Sequence, residues 1–536
     1  MKSLRLTAIR IGPPALAALA VAALILSAAG QTAAPPPDFD PQKTFSVEEL
    51  RADLEVLWAV LEEGHGGLDR YTPVDALKKS WEAIRSGLSG PLTEFDLYTR
   101  LLPFIAEIKD GHTRLALSSA AAAYLDARPI HFPFGLRLLG DRAYIIMDLS
   151  PDPSVREGAE LLAIDGRPFR DILPSLLRLV PADAGIRTAR MRRLEQLEAF
   201  GRLLALRYGP RDSFRIRVRP FGGREIKELT VPGIAAAVLG RLLRERYPAM
   251  AELRRNYELS FRGSTAIMTI RQFGDDPDKT RPRFGEFLGG AFRSLEEKQT
   301  PGLIIDLRDN GGGFDEYAKH LFAHVMDRPF LYYWALETKK DRYDLFRYTD
   351  ETPAAAEELA RPLRRNARGW FDVMGHPNRG LQAPQKPTFT GRVAILIDGG
   401  SFSATGETSS AFHYYKKAAF FGEECGAGYY GNTSGFMVAV TLPHSRLQVR
   451  IPLCRYTMSV EGYPKDRGLV PDFPVAPTIE DLVAGRDVVL ERALAYLAKR
   501  QRRLGSSAAR RRAGDWGRTI CPGRDSNPQG LTAATF

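Results

Sequence analysis

Two continuous apolar segments, each running into a glycine-rich turn and then a helix-prone stretch, constrain this chain more than any other feature. They are "PGLIIDLRDNGGG" (301–313) and "RVAILIDGGSFSATGE" (392–407). A strand with one wet face alternates apolar and polar residues, whereas these runs are apolar at every position, so both faces must be covered. "TAIMTIRQF" (265–273) supplies another strand, and "RPRFGEFLGGAFRSLEEK" (281–298) and "GGGFDEYAKHLFAHVM" (311–326) supply helices. The alternation predicts an α/β core with a mostly parallel sheet flanked by helices. On such sheets the chemistry sits where strand ends meet glycine-rich turns.

The serines of the second turn are therefore the first candidates for chemistry. Ser403 falls where strand gives way to helix, which exposes its hydroxyl beside helix N–H groups that favour a developing oxyanion. Ser401, Ser403 and Thr405 are equally the residue types that cap helices, and the segment alone leaves that reading open. The pattern is not G-x-S-x-G. A serine nucleophile needs a base, and the chain holds 8 histidines. His112, in "KDGHT", stands at a polar turn after a predicted helix, while His65, in "EEGHGGLDRY", suits a helix stop. The first turn offers Gly311 and Gly312 as backbone donors to the same crevice. It lacks both the Lys-Ser/Thr of a P-loop and the G-x-G-x-x-G spacing, which argues against a phosphate cradle.

Upstream, residues 46–125 show helical periodicity. "SVEELRADLEVLWAVLEE" opens with the capping box Ser46/Glu49 and puts Leu50, Leu54, Leu57, Trp58 and Leu61 on one face. Residues 130–235 switch to short strands: "FGLRLLGDRAYIIMDL", "GAELLAIDGRPFRDILPSLL" and "FRIRVRPFGGREIKELTVPG". Their order is that of a PDZ domain, interrupted by a basic helical insert at 184–208. Such a module either adds a peptide to its sheet edge or serves as packing or a lid. The predicted core occupies 255–498, with a polar, helix-prone insert at 341–381 and a last amphipathic helix in "PTIEDLVAGRDVVLERALAYLAKR".

The ends separate from this body. Lys2, Arg5 and Arg10 precede an apolar run, Ala15 to Leu26, and the small residues "SAAG". Residues 1–30 match a secretory signal, too short in its apolar part for a membrane span, and 31–45 a tether; after cleavage no stable span is expected. The net charge of +11 is concentrated at the ends, nine basic against two acidic residues between 499 and 525 and three basic in the first ten, so the body is near neutral. That speaks against nucleic-acid binding by the folded body, and the 499–536 tail has a disordered composition. The 3 cysteines lack metal-ligand spacing, and neither metal nor cofactor is expected. Cys425 and Cys454 flank adjacent predicted strands, so a pair between them is open in an exported protein.

The order of helical domain, PDZ-like domain, "GLIIDLRDNGGG", "DGGSFSATGE" and "GLVPDFPV" resembles the carboxy-terminal processing, or tail-specific, serine peptidase family. The resemblance spans residues 46–498. It implies a crotonase-like (ClpP-like) catalytic core with an N-terminal helical domain and a PDZ-like domain. Its "SxSAxxE" segment puts the nucleophile at Ser403 and closes on Glu407, with oxyanion donors at the amide of Ala404 and at Gly311 or Gly312. Tail-specific members take a lysine base from the loop after the serine strand, but "GEECGAGYYGNTSG" holds none. The tricorn-like branch takes a histidine from the helical domain and a distant glutamate, which implies His112 and Glu461, joined directly or through water. In tricorn a serine precedes that histidine; here Gly111 does. The implied activity is an exported endopeptidase, periplasmic or extracellular, acting on unfolded or tail-exposed polypeptide. A relative that holds peptide or an apolar ligand without catalysis is the alternative.

Overall fold

The computed structural model describes residues 39–248, 255–349 and 362–498. The signal and tail readings, Cys521 and most of the tether lie outside them.

The core sheet runs Tyr257–Arg262, Thr265–Ile270, Gly302–Asp306, Arg392–Ile397, Ala419–Gly422, Phe473–Pro474. The first pair is antiparallel and every later pair parallel. Both faces are covered, as the apolar runs require. Leu303, Ile305, Val393, Ile395 and Ile397 face one cluster with the helices Phe284–Glu297, Asp315–Ala323 and Ala404–Tyr414. Ile304, Ala394 and Leu396 face the other, where Val489, Leu490, Ala493 and Leu497 of the helix at 488–498 close over them. The last segment is thus not one helix: a short turn of helix, Ile479–Val483, is followed by Gly485 at φ +67 before 488–498 begins.

A second sheet runs Leu363–Arg365, Phe371–Val373, Tyr333–Thr338, Gln448–Met458, Thr433–Thr441. The described part of the predicted 341–381 insert is therefore not helical beyond the 3-10 turn Asp344–Tyr348; it extends this sheet by two strands. The strand Arg114–Ala116 pairs with the start of Gln448–Met458, in the register Arg114↔Arg450, Leu115↔Val449, Ala116↔Gln448. The N-terminal helices accordingly share their core with this sheet: Leu50, Leu54, Leu57 and Leu61 cluster with Val449, Ile451 and Leu453. The Ser46/Glu49 capping box opens the first helix, Val47–Gly64.

The third sheet is antiparallel throughout, in the order Phe134–Leu139, Arg142–Asp148, Ala159–Ile164, Ser213–Arg219, Lys227–Pro232. Its insert starts one residue earlier than the periodicity indicates, with the turn Asp183–Gly185. It then forms two helices, Arg187–Leu194 and Leu197–Tyr208. No disulfide joins Cys425 and Cys454; the Cys425 thiol donates to the Ser401 carbonyl at 3.0 Å.

Candidate active site

The two glycine-rich turns are stitched into one unit. The Ser401 hydroxyl donates to the Leu307 carbonyl at 2.8 Å and accepts the Asp398 amide at 3.1 Å. Asp398 Oδ1 accepts the amides of Asp309 and Gly400, each at 2.9 Å, and the Phe402 amide donates to the Asn310 carbonyl at 2.9 Å. Ser401 is fully buried by this duty, which removes it as a nucleophile. Ser403 stands at the N-cap of Ala404–Tyr414, yet its hydroxyl caps nothing. Its backbone is held at φ 56, ψ −127, a region an L-residue enters only when its surroundings force it. That turn aims the half-buried Oγ out of the sheet edge and toward His112, whose Nε2 lies 3.1 Å away.

His112 arrives from the other end of the chain. It directly precedes Thr113 and the strand Arg114–Ala116, so the pairing of that strand with Gln448–Met458 delivers it to the core. Phe402 packs against its ring at a centroid distance of 4.6 Å, and the Arg193 guanidinium lies over the Phe402 ring at 4.9 Å. Burial holds the imidazole far below its ordinary value, at about 3; Asp110 opposes that, and Arg193, Arg114 and Arg450 reinforce it. The ring is therefore neutral, as a base must be before the reaction. With Nε2 accepting from Ser403, its proton belongs on Nδ1, which is buried and has no hydrogen-bond acceptor.

Two carboxylates stand beside it. Asp110 Oδ1 accepts the amides of His112 and Thr113 at 2.6 and 2.9 Å, and Oδ2 accepts the Thr433 hydroxyl. Burial pushes Asp110 up, but His65, His112 and these hydrogen bonds outweigh it and bring it below the usual carboxylate value. Asp183 accepts the amides of Gly111 at 2.7 Å and Gly428 at 3.2 Å. Burial, then the charge of Asp110, pushes Asp183 up to about 6. One ligand-type atom from each of Asp110, His112 and Asp183 lies within 4.8 Å of the others. In both carboxylates the oxygens already face N–H or O–H donors, which is how an anion is held beside a histidine rather than how a cation is caged.

His65 lies behind this group, fully buried. Its Nδ1 accepts the Gly67 amide at 3.0 Å, so Nε2 carries the proton and donates to Thr113 Oγ1 at 2.6 Å. It supports the histidine segment without reaching Ser403.

The oxyanion donors divide. The amide of Ala404 opens a helix and has no intrahelical acceptor, which leaves it for a ligand. Gly312 lies against Ser403, where a Cβ would stand 2.6 Å from Ser403 Cβ, but its N–H already donates to Asn310 Oδ1 at 2.9 Å. Of the two glycines the exposed Gly311 therefore keeps the available amide.

The sequence-derived glutamate needs correcting. Glu461 is exposed beyond the end of Gln448–Met458, where it accepts the Tyr414 hydroxyl at 3.4 Å. Tyr414 closes the helix that Ser403 opens, so the helix length separates that carboxylate from His112. Glu407, which completes the family-like segment, is buried under the site. Tyr333 Oη lies 2.6 Å from its Oε2 and Asn432 Nδ2 donates to its Oε1 at 2.9 Å, and burial and Asp315 push it up to about 8. Sequence reasoning missed Asp183, Arg192 and Arg193, all in the insert. The basic, helical character of that segment was its only signal.

Residues 264–475, from the first parallel strand to the last, match the family described as Peptidase family S41. Over that stretch the chain is similar to S41 peptidases. The S41 match agrees with the resemblance drawn from the two strand-end motifs. Carboxy-terminal processing protease CtpB of Bacillus subtilis (strain 168) is 30% identical over 108 residues, 18% of this chain and 22% of CtpB, so the chain spans about a fifth of that relative's length in the match. The crystal structure of mature CPAF shares the fold at TM-score 0.56 and 16% identity, over 84% of this chain and 96% of CPAF. The structure of mature CPAF complexed with lactacystin gives the same TM-score, 0.56, with 97% of that chain covered. The shared fold thus reaches well beyond the S41 match.

Proposed function

We propose that this protein is an exported serine endopeptidase that cleaves peptide bonds in unfolded or tail-exposed polypeptides, with Ser403 as nucleophile and His112 as base. The observation that carries the reading is the 3.1 Å contact between His112 Nε2 and Ser403 Oγ, made by a serine whose backbone is strained and whose hydroxyl has no capping role. Attack forms the Oγ–C bond while the Oγ proton passes to Nε2; the amides of Ala404 and Gly311 receive the oxyanion. Collapse breaks the C–N bond, and His112 returns its proton to the leaving amine. Water, deprotonated by the same nitrogen, then releases the acyl group. Within this reading the core is crotonase-like and the third sheet a PDZ-like module, in keeping with its strand order. Export rests on the charged and apolar pattern of residues 1–30; no helix among the described residues is long and apolar enough to cross a membrane.

Fluorophosphonate labelling of the full-length protein tests the reading. Wild type and Ser401→Ala label, whereas Ser403→Ala and His112→Ala do not. A folded wild type that stays unlabelled and cleaves no unfolded protein overturns it, in favour of a ligand-binding relative.

A further inference from the structure

The geometry points to Asp183, at the start of the insert in the third sheet, as the carboxylate that orients the His112 imidazole. This inference rests on the peptidase reading and completes it.

His112 Nδ1 must carry the proton when Nε2 accepts from Ser403, and a buried N–H without an acceptor is costly. Whatever receives it must lie close by and have a lone pair to spare. Glu461 fails on distance. Asp110 is close, but its Oδ1 is filled by two amides and its Oδ2, which holds the Thr433 hydroxyl, is turned toward His65 Nε2 at 3.6 Å. Asp183 accepts one amide on each oxygen, from Gly111 and Gly428, so each oxygen keeps a second acceptor site. It is 2% exposed, and its carboxylate shares the 4.8 Å cluster with a His112 ring nitrogen, a separation that one bridging water spans.

Gly111 contributes to the arrangement. A Cβ there would lie 2.6 Å from the Phe402 ring and 2.8 Å from an Arg193 guanidinium nitrogen, and glycine itself has no side chain to relay the histidine to a distant acid. The Gly111 amide instead reaches Asp183, and Arg193 Nη2 donates to the Gly111 carbonyl at 3.0 Å. The charged and titratable groups around Asp183 are Asp110, His112, Arg193 and Tyr71. As the imidazolium forms, an ionised Asp183 offsets its charge and fixes the tautomer, the two services a third member gives such a base.

The test compares kcat and KM of full-length wild type, Asp183→Asn and Glu461→Gln on a fluorogenic peptide, after fluorophosphonate labelling of the wild type. Asp183→Asn should lower kcat by roughly 10²–10⁴-fold, with KM little changed and thermal unfolding close to wild type. Glu461→Gln should stay within a few-fold. The loss should not add: Asp183→Asn combined with His112→Ala should be no slower than His112→Ala alone, which a merely structural role would not produce. If Asp183→Asn fails to fold, the His112 Nδ1–H resonance of the wild type, absent in His112→Ala, should still appear at low field. Near-normal kcat in Asp183→Asn, additive losses, or a missing resonance each overturn the assignment. A labelled wild type with an unimpaired Asp183→Asn sinks Asp183 alone; an unlabelled, inactive wild type sinks the peptidase reading with it.

Discussion

Leu115 pairs with Val449 across an antiparallel ladder, and this three-residue pairing is the means by which His112 reaches Ser403. The two catalytic candidates are 291 residues apart in sequence. Neither is positioned by its own local structure alone: the serine is aimed by the turn after Ile397, the histidine by a strand that enters a sheet built from the C-terminal half.

Ser401 and Ser403 should separate cleanly. Ser403→Ala abolishes labelling and leaves unfolding close to wild type, since the hydroxyl is half exposed. Ser401→Ala strands the Asp398 amide in the interior, leaves the Leu307 carbonyl with the Asn310 amide alone, and costs about 1–3 kcal/mol, while labelling persists. Urea unfolding alongside labelling reads both; a stable Ser401→Ala would contradict the stitching of the two turns.

Gly312→Ala tests the oxyanion side. Gly312 has φ +102, and its added Cβ would stand 2.6 Å from Ser403 Cβ and 3.0 Å from the Ala404 amide nitrogen. The expected outcome is a fall in kcat of about 10²-fold or more with a folded protein. Wild-type turnover would show that the turn does not border the reacting atoms.

Arg192 joins the insert to both turns. Its guanidinium lies 3.4 Å from Asp398, 3.9 Å from Asp309 and 2.8 Å from Glu195, and it also contacts Glu423. Arg192→Ala leaves four acidic groups without their shared cation and should cost about 3–5 kcal/mol in chemical unfolding. Arg192→Lys should recover little, because one ammonium cannot replace a planar fork. Full recovery by lysine would argue against the geometry.

Glu407 should make stability fall as pH rises. Tyr333 Oη lies 2.8 Å from Asp315 Oδ2 and 2.6 Å from Glu407 Oε2, and a phenol has one hydrogen for two acceptors. A protonated Glu407, pushed up to about 8, supplies the second. Below the unfolded value of 4.5 the group is protonated in both states and imposes no cost; between 4.5 and about 8 only the folded state holds the proton, so stability falls with pH until about 8. Glu407→Gln keeps a neutral side chain and should match wild type near pH 4.5 and exceed it at pH 8. Parallel urea curves at both pH values would contradict a protonated Glu407.

The core sheet was legible because strands buried on both faces must be apolar at every position, and because glycine-rich turns at their ends have few other uses. The capping box of the first helix and the strands of the third sheet follow from equally local rules. Ser403 and His112 were legible as candidates for the same reason: each sits at a polar break after a regular element. Local pattern could not choose between Ser401 and Ser403, since both sit in one turn and only the Leu307 carbonyl on the neighbouring strand end separates them.

The acid was not legible at all. Glu461 matched in sequence spacing but lies at the far end of the serine helix, whereas Asp183 sits at the start of an insert that the sequence showed only as basic and helical. Arg192 is buried there and Arg193 half-buried because the carboxylates and carbonyls that satisfy them come largely from the core and the histidine turn, far away in sequence. Sequence determined which strands form and where their ends lie, because backbone sterics and side-chain burial act over a few residues. Tertiary structure alone decided which ends meet, because pairing across sheets and the burial of opposite charges depend on partners that no local window contains.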